Sequence, residues 1–272
     1  MRKFILVLLI LTAGIIPVWL VMNQKRAAVK KEELVCPVNL NASRGKLLEY
    51  LRLRKDNLAV KEADKILVVW PGDTCALWAK AEVFRRAYRF EDAQKLLSQV
   101  LAGCPQHAPS LISLAYIRYH SHKFSEALKI LKQVLKERGL DKEDEAMAYM
   151  LIGSINAKKA ACGGLFAKLA YGIRIKGYFE KAKVLAPELP EVHLGLGTFC
   201  LLAPKIAGGD VDKAIEELEY AVNLAPDFAT ANARLAQAYW IKGDSRKYDL
   251  YLKKAKDLDP ENEVAREIEE SL

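Results

Sequence analysis

Apolar residues recur along most of this chain at the three- and four-residue spacing of helices, in runs broken at turn residues. Leu111, Leu114, Ala115 and Tyr119 form one stripe, and Ala127, Leu128, Leu131, Val134 and Leu135 form the next. Such spacing puts each set on one helix face. The runs come in pairs. Pro226 and Pro260 bracket one pair, broken between at Lys242-Gly243-Asp244, and these prolines lie 34 residues apart. Pro37 to Pro71 and Pro71 to Pro105 repeat the interval of 34. The pattern therefore predicts copies of one two-helix unit. Second helices open on Glu91-Asp92-Ala93, Ser125-Glu126-Ala127 and Asp212-Lys213-Ala214, which supply capping residues or first-turn acids. A lone hairpin cannot cover its apolar side, so stacked neighbours must do so.

Units at 40–73, 74–107 and 108–141 keep a small residue at one position, namely Ala59, Ala93 and Ala127. The third ends at Arg138-Gly139, where glycine replaces proline as the stop. The last unit, 229–262, has Tyr248 at the small position and Ala255 at a later one. Two units are oversized. Gly139 to Pro187 spans 48 residues, with the excess near Cys162-Gly163-Gly164-Leu165-Phe166-Ala167. Pro187 to Pro226 spans 39, with extra residues at 203–210.

Tyr239, Gly243, Ala255 and Pro260 in the last unit, with Phe84, Ala93 and Pro105 in the second, resemble the tetratricopeptide repeat family. The resemblance covers roughly residues 38–262. It implies an all-α fold, a right-handed superhelix (α-solenoid) of about six helix hairpins whose first helices line a concave groove. The Ala-Pro…Gly-Gly-Asp insertion within 160–226 is similar to a bacterial subgroup that includes the T component of TRAP transporters. That narrower likeness implies an exported accessory of solute uptake with a pore for a small apolar ligand.

A single transmembrane helix is expected ahead of the solenoid. Phe4 to Met22 is 19 residues without a charge, or ~28 Å of helix against ~30 Å of hydrocarbon. The stretch is longer than the apolar core of a cleaved signal and is followed by Asn23-Gln24-Lys25-Arg26. The expected divisions are a membrane anchor at 1–22, a charged linker at 23–36, the solenoid at 37–262 and a helical tail at 263–272. The short basic start favours an uncleaved signal anchor in a bacterial inner membrane, with the body exported. Lys25, Arg26, Lys30 and Lys31 argue for the opposite orientation, which stays open.

The formal net charge of +8 changes meaning once that segment is set apart. Residues 1–31 hold six of the 42 basic residues and no acid, leaving 36 basic against 34 acidic. The solenoid is thus nearly neutral, and no nucleic-acid partner is expected. Five cysteines are too sparse for a disulfide framework. Cys75 and Cys104 fall at one end of a hairpin, where either a bridge or free thiols would fit.

Catalytic chemistry finds little footing. Gly208-Gly209-Asp210 lacks the spacing of a phosphate loop, and its glycines read as a turn with Asp210 capping a helix at 211–223. His120 and His122 diverge by ~200° on a helix, so they cannot share a metal there. No catalytic residue, metal site or cofactor is expected.

The groove is the candidate site. The inward positions of the repeat family map to Arg44 and Arg52 in unit one, and to Trp78, Glu82, Arg85 and Arg86 in unit two. Unit three contributes Ile112, Tyr116, Tyr119 and His120. Unit five contributes Leu194, Thr198, Leu201 and Leu202, and unit six Ala233, Gln237, Trp240 and Ile241. A basic, aromatic half would suit an acidic or C-terminal-carboxylate peptide, and an apolar half a hydrophobic side chain or a lipid-like ligand. The expected function is a membrane-anchored, non-catalytic scaffold that binds a protein or peptide in this groove. The solute-uptake accessory is the alternative.

Overall fold

The computed structural model describes residues 39–163 and 165–270, without the side chains of 164–173. The expected membrane helix at 4–22, the linker, Cys36 and Pro37 lie outside the described residues. No helix among the described residues is long and apolar enough to cross a membrane. The chain divides into two units, Met1–Ser43 and Arg44–Leu272, and the helical hairpins belong almost entirely to the second.

Thirteen helices and no strand are found among the described residues. In order they are α1 (Leu40–Arg52), α2 (Asp56–Val69), α3 (Thr74–Arg86), α4 (Phe90–Gly103), α5 (Ala108–His120), α6 (Phe124–Val134) and α7 (Lys142–Cys162). Then come α8 (Leu165–Leu185), α9 (Pro190–Leu202), α10 (Val211–Leu224), α11 (Ala229–Lys242), α12 (Ser245–Leu258) and α13 (Glu263–Glu270). Side chains close several of the exposed N-termini. Asp73 accepts from the Ala76 N–H at 2.8 Å, Asp141 from Glu143 at 2.8 Å and Asp244 from Lys247 at 3.0 Å. Asp210 accepts from Asp212 and Lys213 at 3.0 and 3.2 Å, which makes it the cap of α10 as the sequence suggests.

Neighbouring hairpins pack as a solenoid requires. α3 touches α5, α5 touches α7, α7 touches α9, α9 touches α11 and α11 touches α13, forming a continuous row of first helices. Each second helix from α2 to α12 packs against the first helix that follows it. Ala59, Ala93, Ala127 and Ala214 are fully buried where the helices approach closely, a spacing larger side chains would prevent. The tetratricopeptide-like solenoid is thus observed.

The irregular units solve their excess differently. The fourth extends both of its helices to 21 residues, so its hairpin is taller than its neighbours. The fifth places a short 3₁₀ turn, Lys205–Ala207, between α9 and α10. Gly209 there passes so close to the Ala203 carbonyl that a Cβ would fall 1.8 Å from its oxygen. Only glycine fits.

One turn position is used unusually. Arg54, Tyr88 and His122 adopt φ of +60°, +56° and +57° at intervals of 34 residues. Gly243 occupies the same place in the last hairpin with φ +86°. Glycine suits this conformation, whereas a side chain is strained by about 1–2 kcal/mol.

Candidate partner-binding cavity

The first helices of hairpins one to five do not line an open trough. The α1–α2 turn reaches the later hairpins and closes one side. Arg54 forms an ion pair with Glu191 at the start of α9, and its guanidinium sits 3.9 Å from the Phe228 ring centroid ahead of α11. Arg52 Nη2 donates to Glu143 Oε1 on α7 at 2.6 Å. Tyr88, from the next turn, lies close enough to Asp259 and Glu263 to feel their charge. Burial first, and those acids second, push its phenol up to about 12.

This closure leaves a cavity of about 480 Å³ on the inner face. Its walls include Leu48 and Arg52 of α1, Trp78, Glu82, Arg85 and Arg86 of α3, and Ile112, Ser113 and Tyr116 of α5. Glu143, Asp144 and Met147 of α7, with Leu189 and Glu191, complete it. A wider cleft of about 910 Å³, lined by residues 139–143 and 185–189, adjoins it and shares Arg52, Glu143 and Leu189.

Glu82 organises the wall. Its carboxylate accepts from Arg85 Nε at 2.9 Å, Arg86 Nε at 3.3 Å and Ser113 Oγ at 2.9 Å. Trp78 Nε1 donates in turn to Ser113 Oγ at 3.2 Å. Burial alone would raise the Glu82 carboxyl, but Arg85, Arg86 and Arg54 hold it down at about 2. Arg86 Nη1 donates to Asp56 at 2.8 Å and to the Leu51 carbonyl at 3.0 Å, tying α3 to the first hairpin. Arg85 covers the Tyr116 ring at 4.1 Å. Burial lowers Arg54 to about 10, with Arg86 nearby adding to the shift. Arg54 Nε and Glu191 Oε2 are buried without hydrogen-bond partners, so this pair meets through one contact rather than a two-pronged fork.

Asp144, like the exposed Glu49 on α1, is an exception to this pairing among the described residues. It is half-buried in the wall, and no cation or donor meets it among the described residues. Burial, with Asp141 and Glu143 beside it, pushes its carboxyl up to about 7.

Of the groove residues expected from sequence, Arg52, Trp78, Glu82, Arg85, Arg86, Ile112 and Tyr116 line the cavity. The other positions fall elsewhere. Arg44 donates to Asp73 at 3.0 Å beside the start of α3. Tyr119 joins a ring cluster with Tyr116, His120 and Phe124. Leu201 is buried in the core and Leu194 packs against it, so these two do not supply an open apolar half. Thr198 is half-buried on α9. Gln237 accepts from Arg234 at 2.8 Å, and Trp240 is exposed on α11 with its ring 5.1 Å from Tyr248. The arginines do not form a free basic surface, because Arg44, Arg52, Arg85 and Arg86 each meet an in-chain carboxylate.

Other candidate chemistry is absorbed by the fold. His120 ends α5 inside the aromatic cluster, where burial and then Arg85 push it down to about 4. His193 bridges Glu217 at 2.7 Å and the Pro187 carbonyl at 2.6 Å between α9 and α10. Cys75, Cys104, Cys162 and Cys200 are free thiols. Burial, with Asp73 alongside, pushes Cys75 up to about 11, which leaves it a poor nucleophile.

Residues 84–150 and 205–246 match models of the tetratricopeptide repeat. A thermophilic repeat protein of Thermus thermophilus, TTC0263, is similar with a TM-score of 0.55 at 22% identity, covering 70% of this chain and 94% of its own. Human IFIT1, in a dimer with m7Gppp-AAAA, is similar at 0.54 and 18% identity, over 74% of this chain and 46% of its own. PilF of Pseudomonas aeruginosa gives 0.45 at 18% identity, over 86% of this chain and 97% of its own. No curated protein matches the sequence. The likenesses at 0.55 and 0.54 are of fold alone, and they agree with the repeat models that this is a tetratricopeptide-type solenoid. None of these matches bears on the narrower likeness of residues 160–226 to a TRAP transporter component.

Proposed function

We propose that this repeat solenoid is a non-catalytic scaffold that holds a segment of a protein partner in its inner cavity. Residues 4–22 would tether it to a membrane. The observation that carries the reading is the cavity itself. Apolar and aromatic side chains of several hairpins converge there with about as many polar and charged groups, most of them held in ion pairs within the chain, a mixture that can orient and grip a guest. Its walls are braced by ion pairs within the chain, so little ordering is left for binding to accomplish.

The test is to narrow the cavity without disturbing the core. Leu48 is 44% exposed at the rim, so Leu48→Trp can project into the opening. Proteins captured by the full-length chain should be lost with Leu48→Trp and kept with Val68→Trp, a change at an 83% exposed position on α2. Equal capture by both variants would move the binding surface elsewhere. For the tether, the full-length chain should remain with membranes after alkaline extraction. Release into the soluble fraction would remove the membrane from the proposal.

A further inference from the structure

We infer that the partner segment held in the cavity presents a cationic side chain, lysine or arginine, to Asp144. This rests on the peptide-scaffold reading and specifies the partner's chemistry. Three arginines on the inner face, Arg52, Arg85 and Arg86, would by themselves suggest an anionic guest. The pairing reverses that sign. Arg85 is answered by Glu82, Arg86 by Asp56 and Glu82, and Arg52 by Glu143. Glu191 is answered by Arg54. The carboxylates on the wall without a counter-charge among the described residues are Asp144 and, exposed on α1, Glu49.

Location makes Asp144 the stronger of the two. A half-buried carboxylate gains more from a cation than one in open water, because the field is less screened. The upward displacement of its proton affinity, from burial and from Asp141 and Glu143, is what a carboxylate lacking a cation shows. Arg52 on α1 is engaged by Glu143, and Arg85 on α3 by Glu82, so neither is free to supply that cation. Leu48, Ile112 and Met147, with the half-buried Trp78, provide apolar wall along which the aliphatic stem of lysine or arginine can lie. A cavity of about 480 Å³ suits a long side chain with its flanking backbone.

The experiment uses the full-length chain and pentapeptide pools with randomised flanks and a fixed central residue: lysine, acetyl-lysine, norleucine or glutamate. Binding is read by calorimetry. The lysine pool should bind at least tenfold tighter than the other three, and Asp144→Asn should reduce that preference to within threefold. Glu49→Gln should leave most of it. Glutamate or norleucine binding as tightly as lysine would overturn the inference, as would a lysine preference that survives Asp144→Asn in a variant with the wild-type circular dichroism spectrum. The acetyl-lysine comparison alters only the peptide, so it decides the matter even if a variant fails to fold. Putrescine binding as tightly as the lysine pool would overturn the peptide assignment in favour of a free amine. Equal binding of all pools would leave the scaffold reading standing while this inference falls. The scaffold reading is decided separately by the Leu48→Trp capture.

Discussion

Glu82 and Asp144 face the same cavity and are displaced in opposite directions, so they give opposite stability signatures. Glu82 is held at about 2, below its ordinary value near 4.5, by the arginines that offset its burial. Its contribution is therefore present above about pH 4.5 and is lost as pH falls toward 2. Glu82→Gln keeps the volume but leaves Arg85 buried without its counter-charge, at a cost of about 3–5 kcal/mol. Urea unfolding at pH 7 should show that loss. A cost below about 1 kcal/mol would mean the network does not support the fold. Asp144, raised to about 7, works the other way. The folded chain keeps a proton that the unfolded chain has released, so its contribution is full below about pH 4 and declines as pH rises through 7. Asp144→Asn should match the wild type near pH 4 and exceed it at pH 8 by about 1 kcal/mol, allowing for screening at a partly exposed site. Thermal melts at the two pH values check the sign. Helical spacing is enough to place Arg85 and Trp78 on an inner face, but it does not show what they touch. The Asp56 that engages Arg86 lies 30 residues away, and the Glu143 that engages Arg52 lies 91 away. Asp144 is out of reach for another reason. The oversized fourth unit breaks the register from which inner positions are counted.

The repeated turn joining the two helices of a hairpin makes a test at the scale of the element. Arg54, Tyr88 and His122 share a left-handed conformation with Gly243, yet they carry side chains into different surroundings. His122 is exposed, with an edge-on contact to Phe124 at 5.7 Å. His122→Gly should relieve about 1–2 kcal/mol of strain while loosening the unfolded chain by about 1 kcal/mol. The net is a gain of about 0.5 kcal/mol in chemical denaturation, and a clear loss would show that the turn is not strained. Arg54→Gly relieves the same strain and should nevertheless destabilise, because it removes the partner of Glu191. The interval of 34 residues between these positions is visible in the sequence, and Gly243 marks the site. The helices themselves are legible because apolar stripes, first-turn acids and capping aspartates agree. The lengthened α7 and α8 are legible only as an excess of residues, with Cys162-Gly163-Gly164 marking where one helix stops and the next begins.

At the scale of the molecule, Arg54 departs from the logic of a repeat array. In a simple solenoid each hairpin touches only its neighbours, and stability is a sum of local terms. Here the first hairpin also engages the fifth and the approach to the sixth, through Glu191 and Phe228, and the second approaches the acids around α13 through Tyr88. No periodic pattern could reveal this, because the repeat interval fixes how neighbours stack and leaves contacts between distant hairpins unspecified. The closure also builds the site, since Leu48 and Arg52 of α1 form one wall of the cavity. Arg54→Ala should therefore do more than weaken the fold by the roughly 3–5 kcal/mol expected when one partner of a buried pair is removed. It should increase the radius of gyration in small-angle scattering, speed amide exchange in α1 and α2 ahead of the remaining helices, and weaken peptide capture. The double change Arg54→Met with Glu191→Leu separates closure from charge. An apolar pair of similar size beside Phe228 avoids the desolvation cost of the ions, so it should recover stability to within about 1 kcal/mol of the wild type and restore the compact dimension. If the double variant is stable but remains expanded, the ion pair itself holds the first hairpin in place. If Arg54→Ala is as compact as the wild type, the wall at Leu48 and Arg52 is positioned by the row of first helices alone, and the capture assay should then be indifferent to Arg54.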